Sequence, residues 1–152
     1  VCDWTKNGFR LPTEAEWEWA AMGGTNDKWA GTNEKAQLVN YAWYKNDDGG
    51  DANGKTHQVK LKSANGYGLY DMSGNVWEWC WDWYSNSTPT GGQDPTGAAS
   101  GGLRVMRGGS WSQGAGYAAR VYRDCLVGYW GSYYSPGESY SGLGLRVAMS
   151  KN

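Results

Sequence analysis

Residues 66–84 read GYGLYDMSGNVWEWCWDWY. Its second half alternates: Trp77, Trp79, Trp81 and Trp83 fall on one side, and Glu78, Cys80, Asp82 and Tyr84 on the other. A period of two is the strand period, because successive Cβ atoms leave opposite faces of the pleat. Four indoles on one face, each able to bury about 150–250 Å², predict that this face is a core which other segments cover. Ahead of it, Asp71-Met72-Ser73-Gly74-Asn75 is rich in residues that accept tight backbone geometry, so it reads as a turn. The turn also gathers oxygens: the Asp71 carboxylate, the backbone carbonyls of Gly74 and Val76, and the Glu78 carboxylate at the strand start.

The chain has 152 residues, which fits a single domain. That length suffices to bury about two-thirds of the unfolded surface. Aliphatic residues are scarce beside 11 Trp, 11 Tyr and one Phe, so the core is expected to be aromatic. A net charge of −1 with scattered basic residues lacks the footprint of a nucleic-acid or membrane-surface binder. No apolar run has the length of a membrane span. Cys2, Cys80 and Cys125 show no CxxC spacing and His57 is the single histidine, which argues against a zinc site. The thiols read as packed or free. One disulfide is the alternative, with its pairing open.

Upstream, Thr13 and Glu16 have capping-box spacing, and Gly23-Gly24 follows. Together they predict a helix running to about Met22, with Trp17, Ala20 and Ala21 as its buried stripe. Its first-turn carboxylates suit the helix dipole better than a catalytic cluster. Residues 25–65 are polar and rich in Gly and Asn, and are expected to form a long ordered loop with short strands. Asn40-Tyr41-Ala42-Trp43-Tyr44 is its expected anchor. Residues 47–54, DDGGDANG, have the composition of a calcium loop. They lack the EF-hand's closing glutamate and flanking helices, so a solvated turn is the alternative.

Downstream, residues 85–102 read as an excursion loop, with a glycosylation sequon at Asn86-Ser87-Thr88. Residues 104–111, RVMRGGSW, predict a strand running into a Gly-Gly bend, and residues 143–149 a last, central strand. Between them, residues 112–142 are crowded with Tyr, Ser and Gly. This is the vocabulary of a paratope, in which tyrosine gives amphipathic contact area at low entropy cost and Ser and Gly give adaptable hydrogen bonding. A structural strand pair would carry more Val, Ile and Thr. Arg120, Arg123 and Trp130 punctuate the segment as scaffold pins. No Walker loop or His-assisted nucleophile is present. Glu78 and Asp82 lie about 13 Å apart along a strand, too far for either glycosidase geometry.

Four motifs occur in order: GFRLPTEAEWE at 8–18, DMSGNVWEW at 71–79, RVMRGGSW at 104–111 and LGLRV at 143–147. Together they resemble the formylglycine-generating-enzyme/sulfatase-modifying family, essentially end to end. The resemblance implies an α+β C-type lectin fold of the formylglycine-generating-enzyme subtype, as one domain over residues 1–152. The chain starts in what the family would call mid-domain, which implies an N-terminal portion outside it. Family members hold calcium at two places. One implies Asp71, Gly74, Val76 and Glu78, with Asp71 standing where the family has Asn. The other implies Asn40, Tyr41, Asp51 and Asn53, with a spacing from Asn40 to Asp51 that departs from the family's. Such calcium would be structural, and no cofactor is required. Glu78 reads equally as a buried acceptor that clamps backbone amides.

The family's oxidase uses two cysteines just after the GGS-aromatic motif; the matching positions here are Gln113 and Ala118. Neither is a nucleophile or a copper ligand, so the resemblance carries the fold and not the oxidase chemistry. Variable proteins of diversity-generating retroelements use the same fold variant, with RGGSW, a diversified stretch and a closing G-F/L-R-V strand. Randomised AAC codons there become NNC, which yields Tyr, Ser, Gly and Asp but never Trp, Gln or Glu. The resemblance thus implies a variable surface drawn from Ser112, Gly114, Gly116, Tyr117, Tyr122, Asp124, Gly128, Tyr129, Gly131, Tyr133, Tyr134, Ser139 and Ser141, with Gln113, Trp130 and Glu138 invariant. The expected function is non-enzymatic, receptor- or adhesion-like binding of a protein or glycan ligand on another cell. Display would be at the bacterial cell surface, with a lipid anchor in the N-terminal portion. A sulfatase-modifying-type oxidase and a calcium-dependent carbohydrate-binding lectin are the alternatives.

Overall fold

In the computed structural model, which describes residues 7–87, 95–125 and 141–150, the capping box forms as its spacing predicts. The Thr13 hydroxyl accepts from the Glu16 amide at 3.1 Å, and Glu16 Oε2 accepts from the Thr13 amide at 2.8 Å. Two otherwise orphaned donors are satisfied reciprocally, and helix α1 (Glu14–Met22) follows. Gly23 ends it at φ 61°, the left-handed conformation that glycine adopts without a Cβ penalty. Trp17 and Ala21 are buried as expected, and Glu14 joins them.

Strand β2 (Trp77–Trp83) lies where the alternation places it. It runs antiparallel to β3 (Arg104–Arg107), which carries β4 (Arg123–Asp124) on its far side. On its other edge β2 pairs in parallel with β5 (Leu143–Leu145), giving the order β4-β3-β2-β5. A separate two-stranded sheet joins β1 (Gly8–Arg10) to β6 (Ala148–Ser150). The expected single central strand over 143–149 is therefore two strands, and among the described residues β5 lies at the end of its sheet. The break falls at Arg146, whose guanidinium turns to the Glu78 carboxylate at 2.8 and 2.9 Å and to the Tyr70 carbonyl at 2.8 Å.

The faces of β2 are the reverse of the expectation. Glu78, Cys80 and Asp82 are buried, whereas Trp79, Trp81 and Trp83 are half-buried and only Trp77 among the four indoles is fully covered. The inner face meets the start of α1, which presents N–H donors that need acceptors. Glu78 Oε2 takes the Trp17 indole N–H at 2.7 Å, and Asp82 Oδ2 takes the Glu14 amide at 2.7 Å. On the outer face the Arg104 guanidinium lies 4.7 Å from the Trp81 ring centroid and 3.6 Å from that of Trp83. A cation over an indole face is attractive without full burial.

Among the described residues the core forms two clusters. Trp17, Ala21, Ala30, Met72, Cys80 and Val105 fill the space between α1 and the sheet. Trp29, Leu38, Ala42, Tyr44, Ala115, Ala118 and Ala119 form the second. It is thus aromatic in part, with small residues closing around the rings. Residues 25–65 contain helix α2 (Lys35–Leu38) and a 3₁₀ turn at Asn46–Asp48 rather than short strands. Ala42 and Tyr44 do anchor this stretch. No helix among the described residues is long and apolar enough to cross a membrane. Thr88 of the sequon lies outside the described residues.

Asp82 is expected to make the fold's stability depend on pH. Its second oxygen, Oδ1, is buried without a hydrogen-bond partner. Burial raises the carboxyl's pKa, against the pull of the Glu14 amide. The folded state then holds the proton more tightly than the unfolded chain, so this contribution to stability is lost as pH rises from the unfolded carboxylate range through the raised folded value. Asp82→Asn keeps an acceptor for the amide and removes the charge. Urea unfolding of both proteins from about pH 4 to 7 is expected to show the wild type losing ground to the variant as pH rises. A difference constant with pH would contradict titration of Asp82.

Candidate binding surface

The turn before β2 is where the rest of the fold is stitched together. The Gly74 amide donates to the Gly108 carbonyl at 2.7 Å, the Asn75 amide to Trp43 at 2.8 Å, and the Trp111 amide to Asn75 at 2.9 Å. Gly74 sits at φ 77°, and a Cβ there would lie 2.3 Å from the Trp43 carbonyl oxygen. Ser73 Oγ accepts from the Ala30 amide at 3.2 Å and donates to the Ala118 carbonyl at 2.9 Å. One turn therefore sets the position of the 40s loop, the Gly108-Gly109 bend and the segment beyond it.

A buried ion network pins the far end of that segment. Arg107, 1% exposed, pairs with Glu18 through Nη2 and lies 3.2 Å from Glu14 Oε1 through Nε. The latter is a charge contact without hydrogen-bond geometry. Its Nη1 donates to the carbonyls of Arg120 at 2.8 Å and Tyr122 at 2.7 Å. Arg123 grips Glu14 through two bonds of 2.7 and 2.6 Å, and Arg120 reaches Glu18 at 2.9 Å and Asn26 at 2.8 Å. Arg120 and Arg123 are pins, as the sequence suggests. Their partners on α1 were not foreseen, although Glu14 and Glu18 stand four apart on the helix, the spacing that places two side chains on one face.

The near end is held by the second core cluster. Ala115, Ala118 and Ala119 are buried against Trp29, Leu38 and Tyr44. The Trp29 indole donates to the Ala115 carbonyl at 2.7 Å, the Lys45 amide to the Gln113 carbonyl at 3.0 Å, and the Ala115 amide to Asp48 Oδ2 at 2.6 Å. The Lys35 ammonium, together with the Ala115 amide, holds the Asp48 carboxyl below its ordinary pKa. Trp29, Ala115 and Ala119 were missed by the sequence reading, in which Asp48 reads as part of a calcium-like loop and Ala118 as the place of a family cysteine. The i, i+3, i+4 spacing of the alanines was the available signal.

The opposite side of the segment faces outward. Gly116, Tyr117, Val121 and Tyr122 are exposed. The Tyr117 and Tyr122 rings lie 4.9 Å apart, and Tyr122 tilts over Trp77 at 6.1 Å. A side chain at Gly116 would meet open space, but a Cβ at Gly114 would come 2.8 Å from Asp48 Oδ2. Ser112 is half-buried, with its hydroxyl 3.1 Å from that of Ser110. A cleft of about 470 Å³ separates Trp111 and Ser112 from the loop at Lys45, Asn46 and Asn53. Ser141 is exposed, and its carbonyl accepts from the Trp111 indole at 3.1 Å. Asp124 is half-buried on β4, and burial raises its carboxyl pKa. Gly128, Tyr129, Gly131, Tyr133, Tyr134 and Ser139 lie outside the described residues, as do Trp130 and Glu138. The structure thus gathers Gly116, Tyr117 and Tyr122 on one face, and sets Gly114 and Asp124 inward of it.

The calcium sets implied by the resemblance are occupied unequally by protein donors. Asp71 Oδ2 accepts from the Lys60 amide at 2.9 Å, while Oδ1 is buried without a hydrogen-bond partner. Glu78 has both oxygens engaged by Arg146, and one of them also by Trp17. Burial nevertheless raises the Glu78 carboxyl's pKa against the opposing pull of Arg146. Asp71 therefore keeps one buried oxygen without a donor, and Glu78 is a buried acceptor whose donors are side chains rather than backbone amides. In the other set, Asn40 binds Gln37 and Ser63, Asp51 binds Lys62, and Asn53 binds Asn46. The Tyr41 ring lies against Gly31. Among the described residues no group of three or more His, Cys, Asp and Glu is placed to hold a metal. Of the thiols, Cys80 is buried and pushed well above its ordinary pKa by burial, and Cys125 is raised by burial and by Asp124. Both are free.

Residues 2–151 match the sulfatase-modifying factor enzyme 1-like domain. The formylglycine-generating enzyme of Streptomyces coelicolor is 37% identical over 153 residues, covering 93% of this chain and 46% of that enzyme. The solved structure of Treponema denticola variable protein 1 is similar with a TM-score of 0.81 and 53% identity, covering 95% of this chain and 49% of that one. PvdO from Pseudomonas aeruginosa shares the fold, with a TM-score of 0.71 at 24% identity over 95% of this chain and 54% of that one. The chain spans half or less of the length of the curated relatives it matches, from 50% down to 16%.

Proposed function

This chain belongs to the sulfatase-modifying factor enzyme 1-like domain family, and we propose that it uses the family's C-type lectin fold as a non-enzymatic variable binding module. The observation that carries this reading is the division of residues 112–125 into two faces. Ala115, Ala118, Ala119 and Arg120 are buried, whereas Gly116, Tyr117, Val121 and Tyr122 are exposed. The inner face is scaffold and the outer face meets a ligand. The 53% identity to a Treponema variable protein supports it. The relatives that are formylglycine-generating enzymes favour an oxidase instead, but Gln113 and Ala118 stand where that chemistry needs thiols.

In this reading a diversity-generating retroelement rewrites the outer face. The module is displayed on a bacterial surface and binds a protein or glycan on another cell. A scaffold held by ion pairs and packed alanines limits the ordering entropy lost on association. Exposed tyrosines supply anchor contacts within an interface of about 800 Å² per partner. A metal at Asp71 would serve structure, because that carboxylate is buried and already bonds the Lys60 amide.

Deep sequencing of the DNA for residues 104–146 in a clonal population, with any near-copy of that stretch nearby, tests the reading. Variation is expected at codons 116, 117 and 122, confined to positions that match adenines in the copy. Codons 115, 118, 119, 120 and 123 are expected to stay constant. A uniform segment without a template copy would overturn the diversified reading.

A further inference from the structure

The corner where the resemblance places the weaker calcium set already holds a positive charge. Lys62 Nζ lies 2.6 Å from the Val39 carbonyl and 2.9 and 2.7 Å from the two Asp51 oxygens. An ammonium has three N–H donors, and here three acceptors face it. The same ammonium sits 3.8 Å from the Trp43 ring centroid, where the indole face adds a cation–π attraction. The Lys62 side chain is 9% exposed. A calcium ion would need about six to eight oxygens. Two further oxygens of the set already accept hydrogen bonds: the Asn40 carbonyl from the Ser63 amide at 2.8 Å, and Asn53 Oδ1 from the Asn46 side-chain amide at 2.8 Å. Calcium does not fit this donor set while Lys62 occupies it.

We propose that Lys62 is the built-in cation of this corner, clamping Val39 to Asp51 so that the loop between them is held without divalent metal. Joining two points of a loop offsets part of its closure entropy. The loop so closed carries Tyr44, Lys45 and Asp48, and the last two bond the backbone of Gln113 and Ala115. Lys62 therefore makes the bracing of the candidate surface insensitive to calcium at this site. The inference stands without the binding reading, since its readout is stability.

Thermal unfolding of the wild type, Asp51→Asn and Lys62→Ala, each in EDTA and in millimolar calcium, tests it. Any calcium-induced rise in Tm is expected to be equal in the wild type and Asp51→Asn, because a rise arising at Asp71 survives that substitution. Lys62→Ala is expected to melt roughly 5 °C lower in EDTA, once Asp51 and the Val39 carbonyl lose their cation. A calcium rise present in the wild type and lost in Asp51→Asn would overturn the proposal. So would a Lys62→Ala protein that melts with the wild type in EDTA. Calorimetric titration of the wild type and Asp51→Asn with calcium alone decides the question if Lys62→Ala does not fold: equal binding supports the proposal, and binding lost in Asp51→Asn overturns it.

Discussion

Arg107→Met is expected to lower the unfolding free energy by about 2–4 kcal/mol, the cost of leaving one buried and one partly buried carbonyl without their donor. The guanidinium is 1% exposed and touches two carboxylates and two backbone carbonyls. Methionine fills much of its volume but donates nothing. Arg123 still neutralises Glu14, and Arg120 still pairs with Glu18, so the carboxylates are not stranded. The carbonyls of Arg120 and Tyr122 lose their Arg107 donor, and a buried acceptor left unsatisfied costs about 1–3 kcal/mol. Those carbonyls lie in the candidate binding segment, so the loss is expected to fall partly there, as faster amide exchange around residues 120–123. Urea unfolding measures the total. A loss below about 1 kcal/mol would mean that Arg120 and Arg123 hold the segment without Arg107.

What the sequence shows of this fold follows how local the physics is. The Thr13–Glu16 cap and the Gly23 terminus depend on neighbours within four residues, and both form as read. The alternation of β2 gives its period but not which side faces the core, since that depends on a partner elsewhere in the chain. Indoles are the larger apolar groups, yet the inner side takes Glu78 and Asp82 because the start of α1 brings N–H donors to it. Residues 25–65 were the least legible. They have no period, and their order comes from distant pairs such as Trp29 with Ala115 and Asp48 with Ala115. In the candidate site, Tyr117 and Tyr122 stand out by composition and are exposed as a binding face requires. The alanines that hold them there carry no polar group, and Ala118 stands out in the sequence only as the place of a family cysteine. Gly114 shows the limit of a codon argument: its randomisable identity says nothing of the Asp48 carboxylate that crowds it.

Tyrosine at position 117 and tyrosine at position 118 should have opposite consequences. Tyr117 is 40% exposed, and its ring touches Tyr122. An exposed aromatic pair contributes about 0.5–1.5 kcal/mol at most, so Tyr117→Ala is expected to cost about 1 kcal/mol or less. Ala118 is 1% exposed inside the cluster of Trp29, Leu38 and Tyr44, and its carbonyl accepts from Ser73. A phenol ring there needs space that the neighbouring rings fill. Overpacking a dense core costs typically about 1–3 kcal/mol and more where the backbone must move. The backbone here is tied to the turn that also positions Gly108 and Trp43, so Ala118→Tyr is expected at or above the upper end, with a Tm fall of roughly 10 °C. The same side chain is accepted one residue earlier because the chain there points to solvent. This difference lets a segment be rewritten on one side and still fold, and thermal unfolding of the two variants measures it directly. An Ala118→Tyr protein as stable as the wild type would remove the anchored inner face, and with it the expectation that codon 118 stays constant while codon 117 varies.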